Sequence, residues 1–181
     1  MANVDAPIGL WPVRHLTGGE IRVNKYKVKT GVTIYQGDPV IIDTAGVVDV
    51  GTATPGAVLI GVAAEYVAGA TSATWTSLSD ILIYDDPFIV FGCQLDSTGD
   101  IAVADLFANA QFKTTHSGSS TTHLSGYEID QATLTTTSTH AVKVLGLCNT
   151  RDANNDWGAN TDLEVILNVH VLKSVGTAGL A

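Results

Sequence analysis

Apolar residues in this chain gather in short runs. Two of these runs, Ile81–Tyr84 and Phe88–Leu95, flank Asp85-Asp86-Pro87, and both are uncharged and rich in β-branched and aromatic residues. Such runs predict strands buried on both faces. Pro87 has no N–H to give a ladder and pushes Asp86 toward an extended shape, so no helix passes through here. Gly92, inside the second run, predicts a bulge or a close backbone approach. We read this pair as the centre that the remaining chain wraps.

The flanking segments continue the theme. Ile21–Val28 alternates with a phase slip between Val23 and Tyr26, which predicts a bulge. Val32–Tyr35 and Pro39–Ile42 read as strands joined by the turn residues Gln36-Gly37-Asp38. Val47–Val50, Ala57–Val67, Ala73–Leu78 and Ala141–Leu147 read as further strands. Along Leu163–Leu172, Leu163, Val165, Leu167, Val169 and Val171 face one way, while Glu164, Ile166, Asn168 and His170 face the other, as in a half-buried antiparallel strand. Asp100–Ala110 is the best helix candidate, with Asp100 as its cap. Thr114–Thr139 is rich in Thr, Ser and Gly, and reads as a surface loop with a weak hairpin or as a flexible lobe.

Residues 1–19 carry Pro7, Pro12, Gly9 and Gly18-Gly19, which favour an extended path. Ile8, Leu10 and Trp11 on that path must be covered, either by their own domain or by a neighbouring subunit. The expected fold is therefore all-β, an antiparallel sandwich or barrel over residues 20–172 with at most one or two short helices. An extended arm (1–19) precedes it and a loose tail (173–181) follows.

Composition sharpens the picture. Charged residues make up 15% of the 181, against about 25% in ordinary soluble domains. Either a Thr/Ser/Ala/Gly-rich exterior meets water, or partner subunits cover part of it. A net charge of −9 argues against nucleic-acid binding. Arg14, Arg22, Lys25, Lys27 and Lys29 cluster early, and positions 30–112 hold no Lys or Arg. That layout suits head-to-neighbour contacts between subunits, or else a solvated face. Cys93 and Cys148 lie in or beside apolar runs without metal or redox spacing, and read as small buried hydrophobes of a reducing compartment. The opening residues lack signal-peptide features, and no apolar run reaches the roughly 18 residues of a membrane helix.

Little in the sequence points to catalysis. His116 and His123 lack further ligands at zinc spacing. Asp85, Asp86, Asp96 and Asp100 follow no calcium-loop pattern and read as turn and cap residues. His170, Glu164 and Asn168 form a local polar trio that cross-strand hydrogen bonding explains. No nucleophile elbow or phosphate loop is present. The expectation is a protein that is not an enzyme and has no cofactor.

The opening Met1-Ala-Asn-Val-Asp-Ala-Pro7, with Gly9, Pro12-Val-Arg14 and Gly18-Gly19, resembles the head decoration, or cement, proteins of tailed bacteriophages. Ile34-Tyr-Gln-Gly-Asp-Pro-Val40, Ile60-Gly-Val62, and Tyr84-Asp-Asp-Pro87 with Phe91 and Gln94 are similar as well. Val142-Lys-Val-Leu-Gly-Leu147, Arg151-Asp152, Trp157-Gly-Ala-Asn160 and the strand through Asn168 follow in the same order. Leu10-Trp11 is more apolar than that pattern, and the chain runs further past His170. The resemblance implies a virion protein on the capsid exterior, trimeric, tying major capsid protein subunits together, with no nucleic acid or membrane partner. The residues expected at its interfaces are Ile8, Leu10, Trp11, Arg14, Arg22, Lys25 and Lys27. The alternative is a tail or head-fibre module whose Thr114–Thr139 lobe binds a receptor or carbohydrate.

Overall fold

The computed structural model describes residues 3–71, 74–113, 118–173, 176 and 179. Among these residues, eleven strands form two antiparallel sheets packed as a sandwich. In chain order they are β1 (Trp11–His15), β2 (Asn24–Lys27), β3 (Pro39–Ile42), β4 (Val48–Val50), β5 (Leu59–Ala63), β6 (Asp80–Tyr84), β7 (Ile89–Gln94), β8 (Asn109–Phe112), β9 (Ile129–Thr135), β10 (Val142–Leu147) and β11 (Asp162–Leu167). One sheet runs β1-β7-β11-β10-β8-β9 and the other β2-β6-β5-β3-β4.

The two central runs are strands, but they do not pair. β6 belongs to the smaller sheet and β7 to the larger, so the Asp85–Phe88 turn is the corner between the layers. Asp86 accepts a hydrogen bond from the Phe88 amide (2.9 Å) and fixes that corner. Every residue of β7 is buried. Its Ile89, Phe91 and Cys93 join Val165 and Leu163 of β11 and Leu59 and Val62 of β5 in the core between the sheets. A second core of Val28, Ile34, Val40, Val48, Ile60, Ala63, Ile81 and Ile83 lies on the smaller sheet.

Several expected elements differ. Asp100–Ala110 is not an α-helix. The Asp105 carboxylate takes the Ala102 amide (2.9 Å), leaving only a 3-10 turn over Val103–Asp105. Phe107 then adopts φ 65°, and Asn109 begins a strand. In Ala73–Leu78, the described part is a 3-10 turn over Trp75–Ser77. Val32–Tyr35 contributes only the bridge Ile34–Val67. β2 pairs with β6 in unbroken register and has no bulge, because Ile21 and Val23 lie outside it in an exposed crossing. The alternation beyond Leu167 stops because Asn168 turns inward to the Ser138 and His140 carbonyls (2.9 and 3.0 Å), and Val171 emerges 51% exposed. The described part of the Thr-rich lobe forms a true edge strand, β9, paired with β8.

Candidate interaction surface

The arm is the feature with the most elaborate fastening. Leu10 drives its side chain into the core, and β1 pairs antiparallel with β7 with a register shift between Pro12 and Arg14. Trp11 lies opposite Gly92, and its ring covers that glycine so closely that a Cβ there would fall 2.1 Å from the indole. This is the close approach that Gly92 predicts. The Arg151 guanidinium stacks on the Trp11 ring at 4.9 Å, a cation–π contact, and the indole N–H reaches the Thr150 hydroxyl at 3.2 Å.

Further toward the N-terminus the fastening is polar. Asn3 donates to the carbonyls of Asp156 (2.8 Å) and Ala159 (3.0 Å). The buried Gln94 side chain accepts from the Ala6 amide (2.8 Å) and donates to the Val4 carbonyl (3.0 Å). Arg151 donates to the Ala6 carbonyl (2.7 Å) and grips Asp162 through Nε and Nη2 (3.0 and 2.7 Å). Asn155 holds the same turn by donating to the Cys148 and Asp162 carbonyls. These groups line a cleft of about 310 Å³. Bidentate guanidinium–carboxylate geometry in a mostly buried setting makes this a strong anchor.

Past His15 the character reverses. Residues 16–25 are exposed without a break. Among them Leu16, Ile21 and Val23 are 46%, 37% and 38% exposed, and Phe88 at the corner is 45% exposed. Leu16 is tied to that corner through its amide, which donates to the Phe88 carbonyl (2.8 Å). The crossing and the corner together thus leave four large apolar side chains exposed, and we refer to them as the apolar strip.

The sequence's interface residues therefore divide. Leu10 is spent on the chain's own core, Ile8 is half-buried, and Trp11 is half-buried beneath Arg151. Arg14 pairs with Glu164 (2.7 Å). Lys27 and Lys25 pair with Asp80 (2.8 and 3.8 Å), and Lys29 with Asp49 and Asp43. Folding thus pairs Lys25, Lys27 and Lys29 with Asp80, Asp49 and Asp43 of the stretch that holds no Lys or Arg, while Arg14 reaches beyond it to Glu164. Arg22 is exposed on the crossing; against the upward pull of burial, the Phe88 amide and His15, with a smaller contribution from Arg22, hold the Asp86 carboxyl below its ordinary range.

Other chemistry-bearing residues have local partners. Asp85 accepts from Asn24 and from the Tyr26 hydroxyl (2.5 Å); burial and that hydrogen bond push Tyr26 up to about 12. Asp96 takes Lys113 (2.7 Å) and the Thr98 hydroxyl. Asp100 lends its carbonyl to Gln131. The polar trio is dispersed. Glu164 faces Arg14, Asn168 faces the 138–140 loop, and the buried His170 accepts from the Leu172 amide. His123 stacks on Tyr66 at 3.9 Å, while His116 lies outside the described residues. Cys93 and Cys148 are buried and free.

Glu128 is a polar group that the sequence did not flag. Burial, then the charges of Asp5 and Asp96, push its carboxyl up to about 7. Because the folded value lies above the ordinary one, stability is fullest at acid pH and falls as the pH rises from 4.5 through 7. Glu128→Gln should therefore raise the free energy of unfolding at pH 8 by about 1–2 kcal/mol, and change it little at pH 4. Urea titrations at the two pH values check this.

No protein-family profile and no curated protein matches the chain.

Proposed function

We propose that this chain is a structural, non-enzymatic protein of a tailed-phage virion. It seats on the outer surface of the capsid as a homo-oligomer, a trimer by the family pattern, and bridges major capsid protein subunits. What supports this, beside the ordered resemblance, is the exposed apolar strip of Leu16, Ile21, Val23 and Phe88, with Arg22 among them. Exposed large apolar side chains on a chain with only 15% charged residues are suited to being covered by another protein. The strip is also anchored, since the fastened arm on one side and β2 on the other hold it in place.

The physical effect of such binding is linkage. A protein that binds the assembled shell but not its separated subunits stabilises the shell by about 2.7 kcal/mol per site at a concentration 100 times Kd. The test is cosedimentation of the purified protein with expanded phage shells. Saturable binding at hundreds of copies per particle supports the reading, whereas a few copies indicates a tail or fibre component and no binding removes it. Phe88→Glu should weaken shell binding at least tenfold, as expected for loss of an apolar anchor. Its thermal midpoint should stay near that of the parent, because Phe88 lies outside both cores.

A further inference from the structure

We propose that copies of this chain exchange their N-terminal arms, residues 3–15 of one docking on the larger sheet of the next, with residues 16–23 as the hinge. The inference rests on the homo-oligomer of the proposed function and not on the shell. Three observations carry it.

First, the arm's contacts form a self-contained set. Asn3, Ala6, Trp11 and Arg14 bond to residues 94 and 150–164, the Leu10 amide donates to the Gly37 carbonyl, and among the described residues β1 pairs with β7 alone. An identical arm from a second copy satisfies that set equally well, which is the condition that makes exchange inexpensive. Second, the hinge is held in its closed shape by local contacts. Gly18 is at φ +80°, a left-handed conformation, and its amide donates to the His15 carbonyl (3.1 Å). The Gly19 amide and the Thr17 hydroxyl reach the His15 ring Nδ1 (both 3.1 Å). Opening the hinge breaks these short-range bonds and one longer-range bond, from the Leu16 amide to the Phe88 carbonyl (2.8 Å). Third, the closed hinge leaves Leu16, Ile21 and Val23 uncovered. Straightened hinges of two exchanging copies run past each other and cover these side chains, an apolar gain that the closed monomer lacks.

The experiment uses the full chain without shells. Arg14 and Val90 are direct partners across β1 and β7, at the spacing a disulfide accepts. Oxidation of an R14C/V90C variant should give covalent dimers and higher species on a non-reducing denaturing gel, because each link joins two chains. Only internally linked monomers would overturn the proposal. N3C/T161C, whose parent side chains meet at 3.1 Å, reads the far end of the arm in the same way and guards against misfolding of the first variant. Gly18→Pro excludes the left-handed turn and removes the amide bonded to His15, while its added Cβ meets open space, so it should raise the oligomer fraction in light scattering severalfold. An unchanged fraction counts against exchange. Shell cosedimentation of the same variants separates failure of this inference from failure of the shell reading.

Discussion

Asp162→Ala should lower stability by about 3 kcal/mol, a fall in Tm of roughly 6–12 °C for a domain of this size. Asp162 is buried and receives Arg151 through two nitrogens and Gln94 through Nε2. Removing the carboxylate leaves a partly buried guanidinium without its ionic partner, while Gln94 keeps the Val4 and Asn160 carbonyls; the penalty of the unpaired charge exceeds the loss of the pair itself. Asp162→Asn keeps one acceptor and should cost less. The arm should loosen before the sandwich does, since Arg151 also holds the Ala6 carbonyl and the Trp11 ring. Scanning calorimetry gives the first effect, and limited proteolysis near residue 10 gives the second. Equal loss at all sites of cleavage would count against a local anchor.

Gly92→Val should have the second-largest effect, about 2–4 kcal/mol, through overpacking. A Cβ at this position meets the indole of Trp11 at 2.1–2.5 Å. The ring must leave, and with it go the contact to Arg151 and the hydrogen bond to Thr150. β7 itself remains buried against β11, so the sandwich persists with β1 displaced. Hydrogen exchange should show lost protection in Trp11–His15 and retained protection in β11. If β1 stays protected, the ring is not what seats the arm. Trp11→Ala in the Gly92→Val background should recover part of the stability by relieving the clash.

Much of the architecture was legible because strand runs of this kind are short, apolar and punctuated. Pro39–Ile42 appears with the bounds read from sequence, and Val142–Leu147 falls one residue short of them. The misreadings share a cause. Asp100 and the alanines that follow have helical spacing, yet Asp105 satisfies the turn locally and tertiary pairing claims Asn109–Phe112. Ile21 and Val23 alternate like a strand because they are apolar, and that apolarity faces outward. The arm's course on its own domain was left open by the sequence. Its deciding partners, Gln94, Arg151, Asn155 and Asp162, lie roughly 90 to 160 residues away along the chain, and no local pattern connects them to Asn3 or Ala6. Gly92 was the one position whose local character pointed to that docking.

The arm's fastening also sets a schedule for biosynthesis. Arg14 emerges from the ribosome 150 residues ahead of Glu164, its partner. At about 5–20 residues per second, the leading segment waits roughly 8–30 s before its binding site is made. Throughout that interval the leading segment has no site of its own to dock on, and this is the window in which the arm exchange proposed above would begin.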